Sequence, residues 1–121
     1  RVVVTGTYSG DLSVFEHKDG TLKKISDVHL GFEPRGVALT KDAKTAYVAL
    51  TTAHQVAVVD LETMTVTDRI AVKRWPRYLA LTPDGKRLAT AAAPEAGASQ
   101  DKVVFVFNFA DYLRKIAPGT K

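Results

Sequence analysis

Three observations predict an all-β chain made of β-propeller blades: a segment that recurs about every 42 residues, a unit that divides into four short strand patterns, and strands apolar on both faces. The recurrence is plainest where Pro34-Arg35-Gly36-Val37-Ala38-Leu39-Thr40-Lys41-Asp42-Ala43-Lys44 returns as Pro76-Arg77-Tyr78-Leu79-Ala80-Leu81-Thr82-Pro83-Asp84-Gly85-Lys86, identical at seven of eleven positions. A second register, offset by 44, links residues 2–5 and 12–16 to 46–49 and 56–60. Residues 104–108 repeat the last of these after an insertion of six residues.

In the complete copy the strand patterns cover 36–40, 46–50, 55–60 and 65–72, labelled a, b, c and d. Between a and b, Lys41-Asp42-Ala43-Lys44 and Pro83-Asp84-Gly85-Lys86 predict tight hairpin turns, in which Pro fixes the first corner and Gly supplies positive φ. Between c and d, Asp60-Leu61-Glu62-Thr63 predicts an Asx-type turn, with Asp19-Gly20 its counterpart in the first copy. Strand c is almost continuously apolar over 56–59 and again over 103–107, so both of its faces must be covered. A four-stranded sheet stacked between copies of itself satisfies that demand. Doubly wound and TIM-like folds would need helices between the strands, and none fit.

The last stretch changes period. Phe109, Tyr112, Leu113 and Ile116 fall at helical spacing, which predicts a short helix over 109–117 that covers a blade edge or docks a partner. The chain thus divides into an incomplete blade (1–33), a complete one (34–75) and an incomplete one carrying the helix (76–121). Fewer than three blades cannot close a ring, which takes at least about four. Two such chains joined end to end would not tile into whole blades. With Arg1 in place of an initiating Met, the chain is expected to be a segment of a longer propeller.

Composition narrows the function classes. The 121 residues carry 45% hydrophobic and 25% charged side chains, the balance of one ordinary globular domain. No cysteine is present, so this stretch holds no disulfide, iron–sulfur cluster, c-type haem attachment or thiolate zinc site. Apolar runs are only a few residues long, which predicts no membrane span. The net charge of +4 comes without long basic runs, so no nucleic-acid partner is expected.

The order Pro34-x-Gly36-Val37-Ala38-Leu39, then Asp42 and Lys44, Tyr47-Val48, Val56-x-Val58-Val59-Asp60, Thr63 and Ile70-x-Val72 resembles the YVTN repeat of β-propeller proteins. The resemblance is specific over residues 34–91. Thr5-Gly6-Thr7-Tyr8-Ser9 with Leu12, Val14-Phe15 and Asp19-Gly20-Thr21-Leu22 also resembles the opening of propeller lactonases. The chain departs from the family tetrapeptide after Tyr47-Val48, with Ala49-Leu50, and reads Leu88-Ala89-Thr90-Ala91 in the next copy. The resemblance implies ligands at the channel mouth and an extracellular or periplasmic location, or a cytoplasmic one for a lactonase-like protein.

Propeller topology places the b-to-c and d-to-a loops on one face and the a-to-b and c-to-d loops on the other. The first face gathers Arg35 with Lys73, Arg74, Trp75, Arg77 and Tyr78. Cations beside aromatics suit a carboxylate or phosphate, and Arg35, Arg74, Trp75, Arg77 and Tyr78 are the candidate ligand-binding residues. The competing expectation is structural: Arg35 and Arg77 would pair with neighbouring blades, and Trp75 would fill the groove between them. His54, on the same face, is the one candidate general base. His17, His29 and His54 have no metal-ligand spacing, and Glu95 and Asp101 bracket a small-residue loop too poor in oxygens for calcium. Ser9 and Ser99 lack a nucleophile elbow, and Gly6 with Gly10 is no phosphate loop.

These features predict a non-catalytic scaffold that presents its loops to a protein partner or to the remaining blades, with an anionic small molecule as a further candidate ligand. No metal and no cofactor is expected in this chain. The alternatives are a lactonase-like hydrolase of an anionic sugar lactone, or the propeller part of a redox enzyme whose cofactor lies outside the chain.

Overall fold

The computed structural model describes residues 1–73, 75–92 and 103–108. Ten strands follow one another: β1 (Val2–Gly6), β2 (Asp11–Lys18), β3 (Thr21–His29), β4 (Pro34–Leu39), β5 (Thr45–Leu50), β6 (Gln55–Asp60), β7 (Thr65–Ala71), β8 (Pro76–Leu81), β9 (Arg87–Ala92) and β10 (Val103–Asn108). They form three antiparallel sheets in the orders β1-β2-β3, β4-β5-β6-β7 and β8-β9-β10. Each sheet is a meander in which every strand pairs with its sequence neighbour. All described secondary structure is β, as the repeat requires. The helix expected over 109–117 and the loop from Glu95 to Asp101 lie outside the described residues.

The sheets stack face to face, and the period-two alternation of β5 and β6 explains why both of their faces are apolar. Ala46, Val48 and Leu50 of β5 with Ala57 and Val59 of β6 meet Leu12, Val14, Val28 and Leu30 of the first sheet. Their neighbours Tyr47, Val56 and Val58 turn the other way and, with Ile70, meet Leu88 of the third sheet. One strand pair therefore supplies two cores. Sheet-to-sheet contacts concentrate at β1, β4, β5 and β8 and thin out toward β3 and β7, so the sheets radiate from their inner strands.

At that inner edge β4 and β8 run almost in backbone contact. A Cβ at Gly36 would overlap the carbonyl oxygen of Arg77 and sit 3.0 Å from the Cα of Tyr78, so the position requires glycine. Both inner strands are bulged beside this approach, β4 between Pro34 and Val37 and β8 between Pro76 and Tyr78.

The turns carry the predicted chemistry. Thr40 Oγ1 donates to Asp42 Oδ1 at 2.6 Å, and the Lys44 amide donates to the same oxygen at 3.0 Å. Thr82, Asp84 and Lys86 repeat this arrangement at 2.6 and 2.9 Å. Asp60 Oδ1 accepts from the amides of Glu62 and Thr63, the expected Asx turn. Left-handed turn positions show how loosely the repeat holds its glycines: Ala43 (φ 58°) stands where Gly85 stands in the next unit, and Met64 (φ 58°) where Gly20 stands in the first.

One core side chain is mismatched. Thr90 on β9 is 1% exposed, and its hydroxyl has no hydrogen-bond partner among the described residues. The preceding unit carries Val48 at this position, 0% exposed. Thr90→Val keeps the shape and removes a buried unsatisfied hydroxyl, so it is expected to raise unfolding free energy by about 1–2 kcal/mol. Chemical denaturation of the full-length protein reads the change; an unchanged or lower midpoint contradicts this account of Thr90.

Candidate functional site

Backbone hydrogen bonds sort the loops onto two faces. The amides of Leu30 and Gly31, in the d-to-a segment, donate to the Gly10 carbonyl of the b-to-c loop at 2.7 and 2.8 Å. In the next unit the Val72 amide donates to the His54 carbonyl at 2.9 Å. Continuing the β4–β5 ladder, the amides of Thr51 and Thr52 donate to the carbonyls of Glu33 and Phe32, each at 3.3 Å. On the opposite face the Leu61 amide donates to the Lys44 carbonyl at 2.8 Å, joining a c-to-d turn to an a-to-b turn.

The inner strands are then fixed by a device that the sequence reading missed. Thr51 Oγ1, on a residue 5% exposed, donates to the Pro76 carbonyl at 2.7 Å. Thr7, 44 residues earlier, makes the same contact to Pro34 at 3.3 Å. Each bond runs from the b-to-c loop of one sheet to the first residue of the inner strand in the next. Thr5 Oγ1 adds a bond to the Arg35 carbonyl at 2.7 Å. The recurrence of Thr at 7 and 51 was the available signal; a lone hydroxyl in a loop has no distinctive spacing.

Onto this fixed backbone the candidate residues project at the bulges. Arg35 pairs with Glu33 of its own segment, Nη2 to Oε2 at 3.6 Å, rather than with a neighbouring blade. Both side chains are substantially exposed, so the pair adds little stability. Arg77 occupies the equivalent position of the next unit, is exposed, and forms no ion pair among the described residues. Trp75 and Tyr78 flank it, 43% and 60% exposed. Nearby in sequence to Arg35, Phe32 lies under the Arg69 guanidinium, 5.9 Å from ring centroid to Cζ, in cation–π geometry. Arg74 falls outside the described residues.

His54 has a conformational explanation. Its φ of 54° places it at the left-handed turn position that Gly10 (φ 77°) fills in the first unit, and its carbonyl ties down Val72. The histidine with a carboxylate partner is instead His29, whose Nδ1 lies 2.8 Å from Asp11 Oδ1 on the same loop face. Among the described residues no group of three or more His, Cys, Asp or Glu is arranged to hold a metal ion.

A depression of about 680 Å³ lies on the opposite face, between the repeated turns, lined by Leu39, Thr40, Asp42, Leu81, Thr82 and Asp84. Its carboxylates are engaged in building the turns. The hydroxyl of Thr40 and then the Lys44 amide hold the Asp42 carboxyl below its ordinary value, and Thr82 and the Lys86 amide do the same for Asp84.

With this geometry in place, comparison with known proteins defines the fold. No family model matches the chain, and no curated protein matches it. Solved structures do. Kuenenia stuttgartiensis hydrazine synthase superposes with a TM-score of 0.75, at 25% identity over 90% of this chain. A functionally unknown protein from Desulfotomaculum acetoxidans gives 0.72 at 18% identity over 88%. A candidate 6-phosphogluconolactonase from Bacteroides uniformis gives 0.66 at 20% identity over 88%. The chain has the propeller-type fold. It spans 31%, 33% and 37% of those three chains, about a third of each.

The turn carboxylates set an acid dependence. Because both folded-state values lie below the unfolded one, their stabilisation is present above about pH 4 and is lost as pH falls through the folded values. The double variant Asp42→Asn, Asp84→Asn is expected to melt with a flatter pH dependence than the parent below about pH 4. Thermal midpoints measured across that range check this; parallel curves contradict it.

Proposed function

We propose that the chain is a run of blades from a longer YVTN-type propeller and acts as a non-catalytic scaffold, presenting its b-to-c and d-to-a face to a partner. The observation that carries the first half is the incompleteness of the first sheet. The first sheet is built from three strands, and no described strand occupies, beside β1, the inner position that β4 holds beside β5. Val2 and Val4 of β1 remain 37% and 50% exposed there, whereas the equivalent Ala46 and Val48 are 0% exposed inside the stack. Further blades would cover them. Matches that extend far beyond this chain support the same reading.

The scaffold half rests on how the candidate residues are used. His54 serves a turn, Arg35 is neutralised within its own segment, and the conserved geometry between units belongs to backbone clasps. A second reading has one observation in its favour. The likeness to hydrazine synthase, at 25% identity, supports a propeller that belongs to a larger redox enzyme. An extracellular or periplasmic setting fits either reading and is proposed with it.

The natural protein is expected to have a denatured mass well above 13.1 kDa. It should hydrolyse sugar lactones no faster than its Arg77→Ala, His54→Ala double variant. Lactone turnover that the double variant abolishes would overturn the scaffold reading in favour of a lactonase-like enzyme.

A further inference from the structure

The two complete inner strands open on sequences that differ in an informative way. Glu33-Pro34-Arg35-Gly36 becomes Trp75-Pro76-Arg77-Tyr78 one repeat later. Proline and arginine persist, and their backbone roles persist with them: Thr7 clasps the Pro34 carbonyl and Thr51 the Pro76 carbonyl. The residue before proline also keeps its conformation, with φ 52° at Glu33 and 56° at Trp75. Only the side chains flanking the arginine change. The carboxylate that neutralises Arg35 at 3.6 Å is replaced by an indole, and the glycine that admits the next inner strand is replaced by a phenol.

The repeat thus contains its own control. In one unit the arginine is paired with a carboxylate; in the next it is a cation without an ion pair among the described residues, between two exposed aromatics. Both inner strands are bulged here, and bulges re-aim side chains where a strand meets a functional surface. The surrounding face has the same character. Tyr8, Phe32, Trp75 and Tyr78 are all large aromatics left exposed, all on the b-to-c and d-to-a loops or the strand ends beside them. Among the described residues, Arg35, Arg69, Lys73 and Arg77 stand at that end of the strands, against Glu33 and Asp11. Exposures of 43% and more mark a surface rather than the walls of an enclosed pocket. Trp, Tyr and Arg are the residues that dominate binding energy when one protein surface docks on another.

We propose that Arg77, flanked by Trp75 and Tyr78, is the centre of a docking surface for a carboxylate-rich protein segment. The proposal rests on the scaffold reading above and names the chemistry of its partner. An acidic side chain takes the place beside Arg77 that Glu33 takes beside Arg35, as a bidentate or single charge-assisted hydrogen bond. The aromatics contribute apolar contact area around it and exclude water from the pair. The net charge of +4 favours the encounter and makes it sensitive to salt.

The test uses the full-length natural protein and a fluorescein-labelled poly-glutamate peptide, followed by anisotropy at low ionic strength, with poly-lysine peptide and inorganic phosphate as comparison arms. Poly-glutamate is expected to bind, poly-lysine not, and the affinity to fall as salt is added. Trp75→Glu restores the repeat's own ion pair onto Arg77 and is expected to weaken binding about tenfold or more with the melting temperature retained. Glu33→Trp releases Arg35 and is expected to tighten binding. Should Trp75→Glu fail to fold, Arg77→Gln takes its place with the same expected loss.

Absence of poly-glutamate binding, or equal affinity in the parent and the Trp75→Glu and Arg77→Gln variants, overturns the proposal. Displacement of the peptide by inorganic phosphate at matched charge also overturns it, in favour of a small-anion site. None of these outcomes touches the scaffold reading itself, which stands or falls on lactone turnover.

Discussion

The rest of the molecule depends on one strand pair, β5 and β6, whose two faces are both apolar and must both find cover. Ala46, Val48, Ala57 and Val59 commit one face to the first sheet, and Tyr47, Val56 and Val58 commit the other to the third. A hairpin with two apolar faces has no stable existence in water by itself. It is stable only as the middle layer of a stack, so this pattern sets the meander of each sheet, the face-to-face packing and the radial spread from the inner strands. The same constraint extends outward. A sheet at either end of the stack inherits one face built for a neighbour, which is why Val2 and Val4 are exposed where their equivalents in the middle sheet are sealed.

Packing by repetition leaves the inner edge crowded and the loops free. At the crowded edge Gly36 lets two backbones touch, and the threonine clasps hold the Pro-Arg segments in place across sheets. A hydroxyl-to-carbonyl bond shielded from water holds geometry more firmly than an exposed ion pair of the Arg35–Glu33 kind. The rigid part of the loop face is therefore its backbone, and chemistry can change there by substitution of flanking side chains without moving the strands. The replacement of Glu33 and Gly36 by Trp75 and Tyr78 in the next unit is a change of that sort.

Much of this was legible from the residues. Alternation within strands and the turn residues Asp42, Asp60 and Asp84 predicted the sheets and their hairpins, and propeller topology sorted the loops onto the two faces that the hydrogen bonds define. What escaped were features that depend on a neighbour in space. Gly36 reads as an ordinary strand glycine until β8 is placed against it. Thr51 reads as a loop threonine until the Pro76 carbonyl comes within 2.7 Å, and the left-handed turn position of His54 shows only in the backbone. Of the two expectations for Arg35, the blade-to-blade pair is replaced by a pair two residues away in its own segment, with Glu33 at a left-handed position.

The central claim is that β5 and β6 form the doubly covered layer on which the stack is built. Residue-resolved native-state hydrogen exchange on the full natural protein tests it most directly. If the claim holds, the amides of β5 and β6 exchange only through global unfolding, at the highest protection in this chain, while those of β3 and β7 at the outer edge open locally at lower free energy. Local opening of β5 and β6 well below the global limit, with protection residing in the outer strands instead, would contradict it.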